Sequence, residues 1–234
     1  MTTNNKRITL NIYTGPMFAG KTTRLIEYYD SLNVKCELEK LAFKFSKDTR
    51  YEDESDNKDY LKRKMIYSHD KKKILSIPIS SCQEIINHIR MIKDTYKIGI
   101  KYLFLDEGQF FPKVRDWFQS IKVIISDKTH PDYHYLKQLQ EITISGLDYD
   151  ATGNIFNPQF YSLSNEANYL LVATAKCYKC GVNARYTILL DDNSKQEMDG
   201  NVLVGDNTIY QPACQEHVNF SVEWLIIRVW LIII

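Results

Sequence analysis

Three sets of residues in this chain have the types and spacing that chemistry requires. The first is Gly15, Pro16, Met17, Phe18, Ala19, Gly20, Lys21 and Thr22, which reads GPMFAGKT and fits G-x-x-x-x-G-K-[ST]. Glycines at both ends of such a loop let backbone N–H groups converge on phosphate oxygens, and the start of a following helix adds partial positive charge. Lys21 can then bridge β- and γ-phosphates while the Thr22 hydroxyl ligates magnesium. The second set is Asp106 and Glu107, which follow the apolar run YLFL. An Asp closing a strand can hold magnesium, and a Glu beside it is free to act as general base toward a hydroxyl. Alone, such an acidic pair is usually a solvated loop; beside a phosphate loop it completes an NTP-binding enzyme. The third set is Cys177 and Cys180 as CxxC, with Cys214 and His217 as CxxH. Two knuckles supply four ligands for a tetrahedral zinc. With every position filled by protein, the site is structural rather than catalytic.

These sets need elements to position them. Ile8 to Tyr13 is apolar and β-branched and breaks at Gly15-Pro16, so it reads as a buried strand leading into the phosphate loop. Leu25, Ile26 and Tyr29 recur at helical spacing after Lys21, predicting a helix to about Asn33. Leu41 to Phe45 is a second strand. Ser81 with Glu84 three residues on reads as a cap for a helix within Ser80 to Tyr96, which carries Ile85, Ile86, Ile89 and Ile92. Lys101 to Asp106 is a strand, Pro112 to Ser120 a helix, Ile121 to Ile125 a strand candidate, and Ile142 to Ser145 a strand. Asp127 to Glu141 is polar and holds a short helix from Asp132. Strands alternating with helices predict an α/β fold with a mainly parallel sheet covered on both faces. Past about residue 157 helical periodicity fades, so the expected division is 1–157, a loop-rich module 158–220, and a tail 221–234. The charged stretch Lys47 to Lys73 reads as a solvated loop.

The chain has 234 residues, 44% hydrophobic and 25% charged, with a formal net charge of +1. The balance, and the lack of a basic-aromatic stripe, argue against a nucleic-acid partner. No apolar h-region opens the sequence, so no secretory signal is expected. Five cysteines, an odd number with three at ligand spacing, point to a reducing, cytoplasmic setting. Cys36 and Cys82 have no partners, and His69, His88, His130 and His134 receive no role. The last stretch, Trp224 to Ile234, reads WLIIRVWLIII. At helical rise it covers about 16 Å, short of the roughly 30 Å of a hydrocarbon core. Core strand, interface element and interfacial anchor all remain open for it.

GPMFAGKT, KDTRY at Lys47 to Tyr51, DEGQFF at Asp106 to Phe111, and the two knuckles occur in order over roughly residues 8 to 217. In this the chain resembles the zinc-containing thymidine kinase family of cellular, poxvirus and bacterial type. The resemblance implies a RecA-like P-loop NTPase fold with a small zinc module carrying a lasso-like loop. It implies that Glu107 takes the proton from the 5′-hydroxyl of thymidine. ATP and Mg2+ are then held by Gly15 to Thr22, by Asp48, Thr49 and Arg50, and by Asp106, Glu107, Gly108 and Gln109. Thr22 and Asp106 are the magnesium ligands, and Arg50 steadies developing charge. The lasso corresponds to Asn201, Val202, Leu203, Val204 and Gly205, closed by Tyr210. Met17, Phe110, Leu147, Ala151 and Phe156 surround the base. A homotetramer and feedback inhibition by dTTP follow from the same resemblance.

The chain departs from the family at Ala151, where an aromatic residue is usual. Tyr149 is expected to substitute for the missing ring. The segment 127–141 resembles an insertion, and the tail after Phe220 has no counterpart. The rival readings are a deoxynucleoside kinase of broadened specificity, a nucleic-acid-dependent ATPase, and a non-catalytic nucleotide binder tethered by the apolar tail.

Overall fold

The computed structural model describes residues 7–48, 64–190 and 210–218. The apolar run after Arg7 forms β1 (Thr9–Thr14), and α1 (Lys21–Ser31) starts where the phosphate loop ends. Next come β2 (Lys40–Phe45), β3 (Lys64–Tyr67), β4 (Lys73–Ile79), α2 (Gln83–Tyr96) and β5 (Tyr102–Leu105). They are followed by α3 (Val114–Ser126), α4 (Tyr133–Leu136), β6 (Glu141–Gly146), α5 (Pro158–Leu163) and β7 (Tyr169–Val172). The described residues include a seven-stranded sheet in the order β3-β4-β2-β5-β6-β1-β7. All its pairings are parallel except β3 with β4.

Such a sheet must bury both faces, and its central strands are accordingly rich in apolar residues. On one face Leu10, Ile12, Phe43, Leu103, Leu105, Ile142 and Ile144 pack with α2, α3 and α5. On the other, Ala42 and Phe104 pack with Leu25 and Ile26 of α1 and with Ile66 and Ile74 of the β3–β4 hairpin. Asn11, one of the few polar side chains inside, donates from Nδ2 to Thr143 Oγ1 at 3.2 Å across the β1–β6 pair.

Several local expectations are corrected. Ile121 to Ile125 is helical and completes α3. Val114, Trp117, Phe118, Ile121, Ile124 and Ile125 are its buried residues, at a spacing of three to four, and that periodicity overrides the β-branched preference. The Ser81 cap lies one residue early: Cys82 is the N-cap, while the Glu84 carboxylate accepts from the N–H groups of Ser80 and Ser81, both at 2.9 Å. The stretch Lys47 to Lys73 is not all loop, since β3 lies in it and pairs with β4; residues 49–63 are outside the described set. The polar segment after α3 does hold its short helix. Arg90 grips Asp132 at 2.6 Å and Leu136 and Leu139 are buried beneath it.

Residue 157 is not where the sheet ends. The helix α5 packs on α3, and β7 adds a seventh strand beside β1. As the edge strand, β7 leaves Tyr169, Leu170 and Val172 exposed. Beyond it lie two small ribbons, β8 (Ala175–Lys176) with β9 (Asn183–Ala184), and β10 (Tyr186–Leu189) with β11 (Tyr210–Ala213). Among the described residues no helix is long and apolar enough to cross a membrane. The tail 221–234 lies outside them.

Candidate functional site

The carboxyl ends of β1, β2, β5 and β6 open into one cleft of about 530 Å³, the usual place for a ligand in a parallel sheet. Gly15 to Thr22 forms its floor. Gly15 has φ 135°, and a Cβ there would collide with the carbonyl oxygen of Ala173, just after β7. Only glycine permits that approach. Gly20, left-handed at φ 73°, is the N-cap of α1, so the first turn of the helix faces the loop. Lys21 folds back and donates from Nζ to the carbonyl oxygen of Pro16 at 2.7 Å. The Thr22 hydroxyl lies 3.3 Å from both carboxylate oxygens of Asp106, which also accepts from the Ser145 hydroxyl. Hydroxyl and carboxylate side by side form a pair of hard oxygen donors, the ligand type magnesium takes.

The next residue turns sharply. Glu107 sits in the left-handed region at φ 56°, an uncommon conformation for a residue with a Cβ. Gly108 follows because a Cβ would come within 2.5 Å of Ile144 Cγ2 and 3.0 Å of the Phe160 ring. The Gln109 side chain donates from Nε2 to Glu107 Oε2 at 2.6 Å and accepts from Leu147 N–H at 2.9 Å. Asn157 fastens the same turn, donating from Nδ2 to the carbonyls of Gln109 and Phe111, both at 3.0 Å, while its Oδ1 caps α5.

Away from the phosphate loop the cleft is lined by Met17, Phe110, Leu147, Ala151 and Phe156, so the structure gathers the residues expected around a base. Phe110 stacks on Phe45 at 5.3 Å and meets Phe156 edge-on at 5.5 Å. Tyr149 lines the same wall as Ala151, and its ring lies 6.0 Å from Tyr161 and 6.1 Å from Tyr186. Tyr210, the first residue of β11, also reaches the cleft, and burial raises its phenol above the usual range. Asp48 is buried at the cleft edge. Thr49, Arg50 and Asn201 to Gly205 lie outside the described residues.

Sequence reasoning missed several lining residues. Lys44, 3% exposed, is a cation between the apolar residues Phe43 and Phe45 of β2, and that incongruity was a readable signal. Thr187, from β10, accepts the Met17 N–H at 2.9 Å and so ties the second ribbon to the phosphate loop. Nothing in its local sequence announces this. His69 lies against Phe18 with ring centroids 4.7 Å apart, and its neighbour Asp70 accepts from Thr23 at 2.8 Å, so the β3–β4 tip rests on the start of α1.

The knuckles converge as expected. The ligand atoms of Cys177, Cys180, Cys214 and His217 all lie within 4.8 Å of one another. His217 Nδ1 is 3.2 Å from Cys214 Sγ and 3.5 Å from Cys177 Sγ. Burial pushes the Cys177 thiol up, but backbone N–H groups of Cys214, Cys180 and Lys179 aimed at its sulfur outweigh this and bring it down to about 6. Three sulfurs and one imidazole, all supplied by the protein, fit a closed zinc site.

Residues 8–218 match the sequence model of the thymidine kinase family. The chain is 31% identical to a thymidine kinase of Mycoplasmoides gallisepticum, an alignment spanning 93% of this chain and 83% of that protein. It is 27% identical to a thymidine kinase of Yaba monkey tumor virus, over 91% and 95% of the two chains. To a thymidine kinase of Thermococcus kodakarensis it is 27% identical, over 89% and 92%.

Proposed function

The chain belongs to the thymidine kinase family, and from that premise we propose how its cleft moves the γ-phosphoryl of ATP to the 5′-hydroxyl of thymidine. The phosphates lie along Gly15 to Thr22 in a P-loop NTPase site, with Lys21 swinging from Pro16 to the β- and γ-oxygens. Thr22 and Asp106 hold Mg2+, which supplies charge neutralisation on the transferring group. Glu107 accepts the proton as the thymidine O5′ bonds to the γ-phosphorus, and the β–γ bridging P–O bond breaks to release ADP. Asp48 contacts the phosphates, and Thr49 and Arg50, outside the described residues, complete that set.

The base lies between Met17, Phe110, Leu147, Tyr149, Ala151 and Phe156, covered by the loop Asn201 to Gly205 and by Tyr210. Cys177, Cys180, Cys214 and His217 hold a structural Zn2+ that keeps this cover in place. A natural division puts the sheet domain through Val172 and the zinc module after it. A homotetramer, cytoplasmic placement and dTTP inhibition competitive with thymidine complete the reading.

The observation that carries it is the Thr22 hydroxyl 3.3 Å from both oxygens of Asp106, with Glu107 the next residue on the same cleft. The test is ATP-dependent conversion of thymidine to its 5′-monophosphate by the parent and by Glu107→Gln. Turnover in the parent and a loss of about 10²–10⁴ in the variant are expected; equal rates would remove Glu107 from the reaction. A second reading, broader nucleoside acceptance, is favoured by Ala151 on the cleft wall. Equimolar competition of thymidine, deoxyuridine and deoxycytidine decides it, and preference for thymidine alone rejects breadth.

A further inference from the structure

Gln109 belongs to a motif expected to hold nucleotide, yet its side chain is engaged elsewhere. It is 3% exposed. Leu147 N–H donates to Gln109 Oε1 at 2.9 Å. A main-chain N–H has no capacity to accept, so the amide oxygen must face Leu147 and the amide NH2 must point away. That NH2 meets Glu107 Oε2 at 2.6 Å. The side chain lies directly against Gly146, where a Cβ would come within 2.6 Å of Gln109 Oε1. The backbone of Gln109 is also held, by Asn157 at 3.0 Å.

We infer that Gln109 is a positioning residue for Glu107, fixing the carboxylate on its left-handed turn and linking it to Leu147 on the acceptor wall, rather than a ligand of the nucleotide. The link has a direction. A substrate-side shift of Leu147 N–H is transmitted through one rigid amide to the carboxylate, so base and acceptor wall stay in register. Placing Glu107 within about 0.5 Å is the kind of precision that proton abstraction needs. The inference rests on Glu107 being the base, as proposed above.

The test compares the parent with Gln109→Glu and Gln109→Leu in steady-state kinetics with ATP and thymidine across pH, with melting temperatures alongside. Gln109→Glu keeps an acceptor for Leu147 N–H but replaces the donor toward Glu107 with a second carboxylate; Gln109→Leu removes both contacts. Each variant is expected to lose about 10- to 100-fold in kcat, the value of a hydrogen bond to a charged group, with KM for ATP within about twofold. Two carboxylates in contact resist joint ionisation, so the acid limb of the kcat profile moves to higher pH by about one unit or more in Gln109→Glu. In Gln109→Leu it moves the same way by less. The other titratable groups facing the cleft, Lys21, Lys44, Asp48, Tyr67, His69, Asp70, Asp106, Tyr149, Asp150 and Tyr210, are common to all three proteins, so the displacement reads the Gln109 contact.

A rise of about tenfold in KM for ATP with an unmoved acid limb would overturn the inference and make Gln109 a nucleotide ligand. A fall in melting temperature alone, with the limb unmoved, would reduce it to a packing residue. Thymidine turnover by the parent together with either result leaves the proposed function standing and sinks only this inference. An inactive parent that binds ATP brings down both.

Discussion

The sheet and the knuckle module hold their residues in place by different physics. Around the sheet, large side chains such as Phe43, Phe104, Leu10 and Ile85 are fully buried, and the loops carrying Lys21 and Asp106 emerge from strands locked on both faces. In the module the buried cluster is Cys177, Ala184 and Cys214, while Tyr178 and Val182 stand exposed. Two-stranded ribbons are marginal alone, and so small a cluster gains little from burial at about 25 cal/mol per Å². Precision at the phosphate end therefore comes from an apolar core. At the knuckle end it comes from a few polar ties to the sheet, Arg185 to Asp148 and to the Ala173 carbonyl and Thr187 to Met17, beside a Cys177, Cys180, Cys214 and His217 cluster whose ligands suit a metal crosslink.

The comparison breaks most visibly at the metal. Stripping zinc with a chelator, or Cys214→Ser, should abolish thymidine turnover while ATP binding survives, because structural zinc supplies about 10–16 kcal/mol to a small module. Calorimetry with ATP beside a turnover assay reads both halves. Full turnover by a metal-free protein would mean that the module holds itself together.

The polar tie comes next. Arg185 spans the two regions, with Nη2 at 2.8 Å from Asp148 Oδ2 and Nη1 donating to Ala173 O at 3.2 Å. Asp148 is 4% exposed, so Arg185→Ala leaves a buried carboxylate without its guanidinium. About 2 kcal/mol of stability should go, by the usual value of charge-assisted hydrogen bonds. Thermal unfolding measures this, and KM for thymidine should rise more than KM for ATP. An equal rise in both would show that the two regions move as one.

The smallest effect is expected at Tyr149, whose ring lies between Tyr161 of the sheet side and Tyr186 of the module. Tyr149→Ala should raise KM for thymidine several-fold, in line with about 0.5–1.5 kcal/mol for an aromatic contact, and leave KM for ATP alone. An unchanged KM for thymidine would end the idea that this ring replaces the aromatic absent at Ala151.

Much of this was legible along the chain because the signals are short-range. GPMFAGKT must turn tightly before a helix, YLFL must be a buried strand that ends in acid, and CxxC with CxxH must be brought together to hold a metal. The errors share a cause as well. Ile121 to Ile125 looks β-branched in isolation, but Trp117 and Phe118 one turn earlier place the run on a buried helix face. The change of texture near 157 followed the fading of helical periodicity, while the sheet itself continues to β7, whose pairing with β1 no local pattern announces.

Read alone, the sequence settled β1, β2, β5, β6, α1 and α2 and the identity of the reactive groups, because helical period, strand apolarity and loop glycines act over a few residues. The tertiary structure alone decided which distant groups meet. Leu147 N–H sets the orientation of Gln109 from 38 residues away, and Thr187 reaches Met17 across 170. His69 lands on Phe18 only because the β3–β4 hairpin packs on α1. No local pattern encodes these meetings. They arise from how a sheet buried on both faces must stack its crossovers, and hydrogen-bond direction then fixes how side chains such as Gln109 and Thr187 meet their partners.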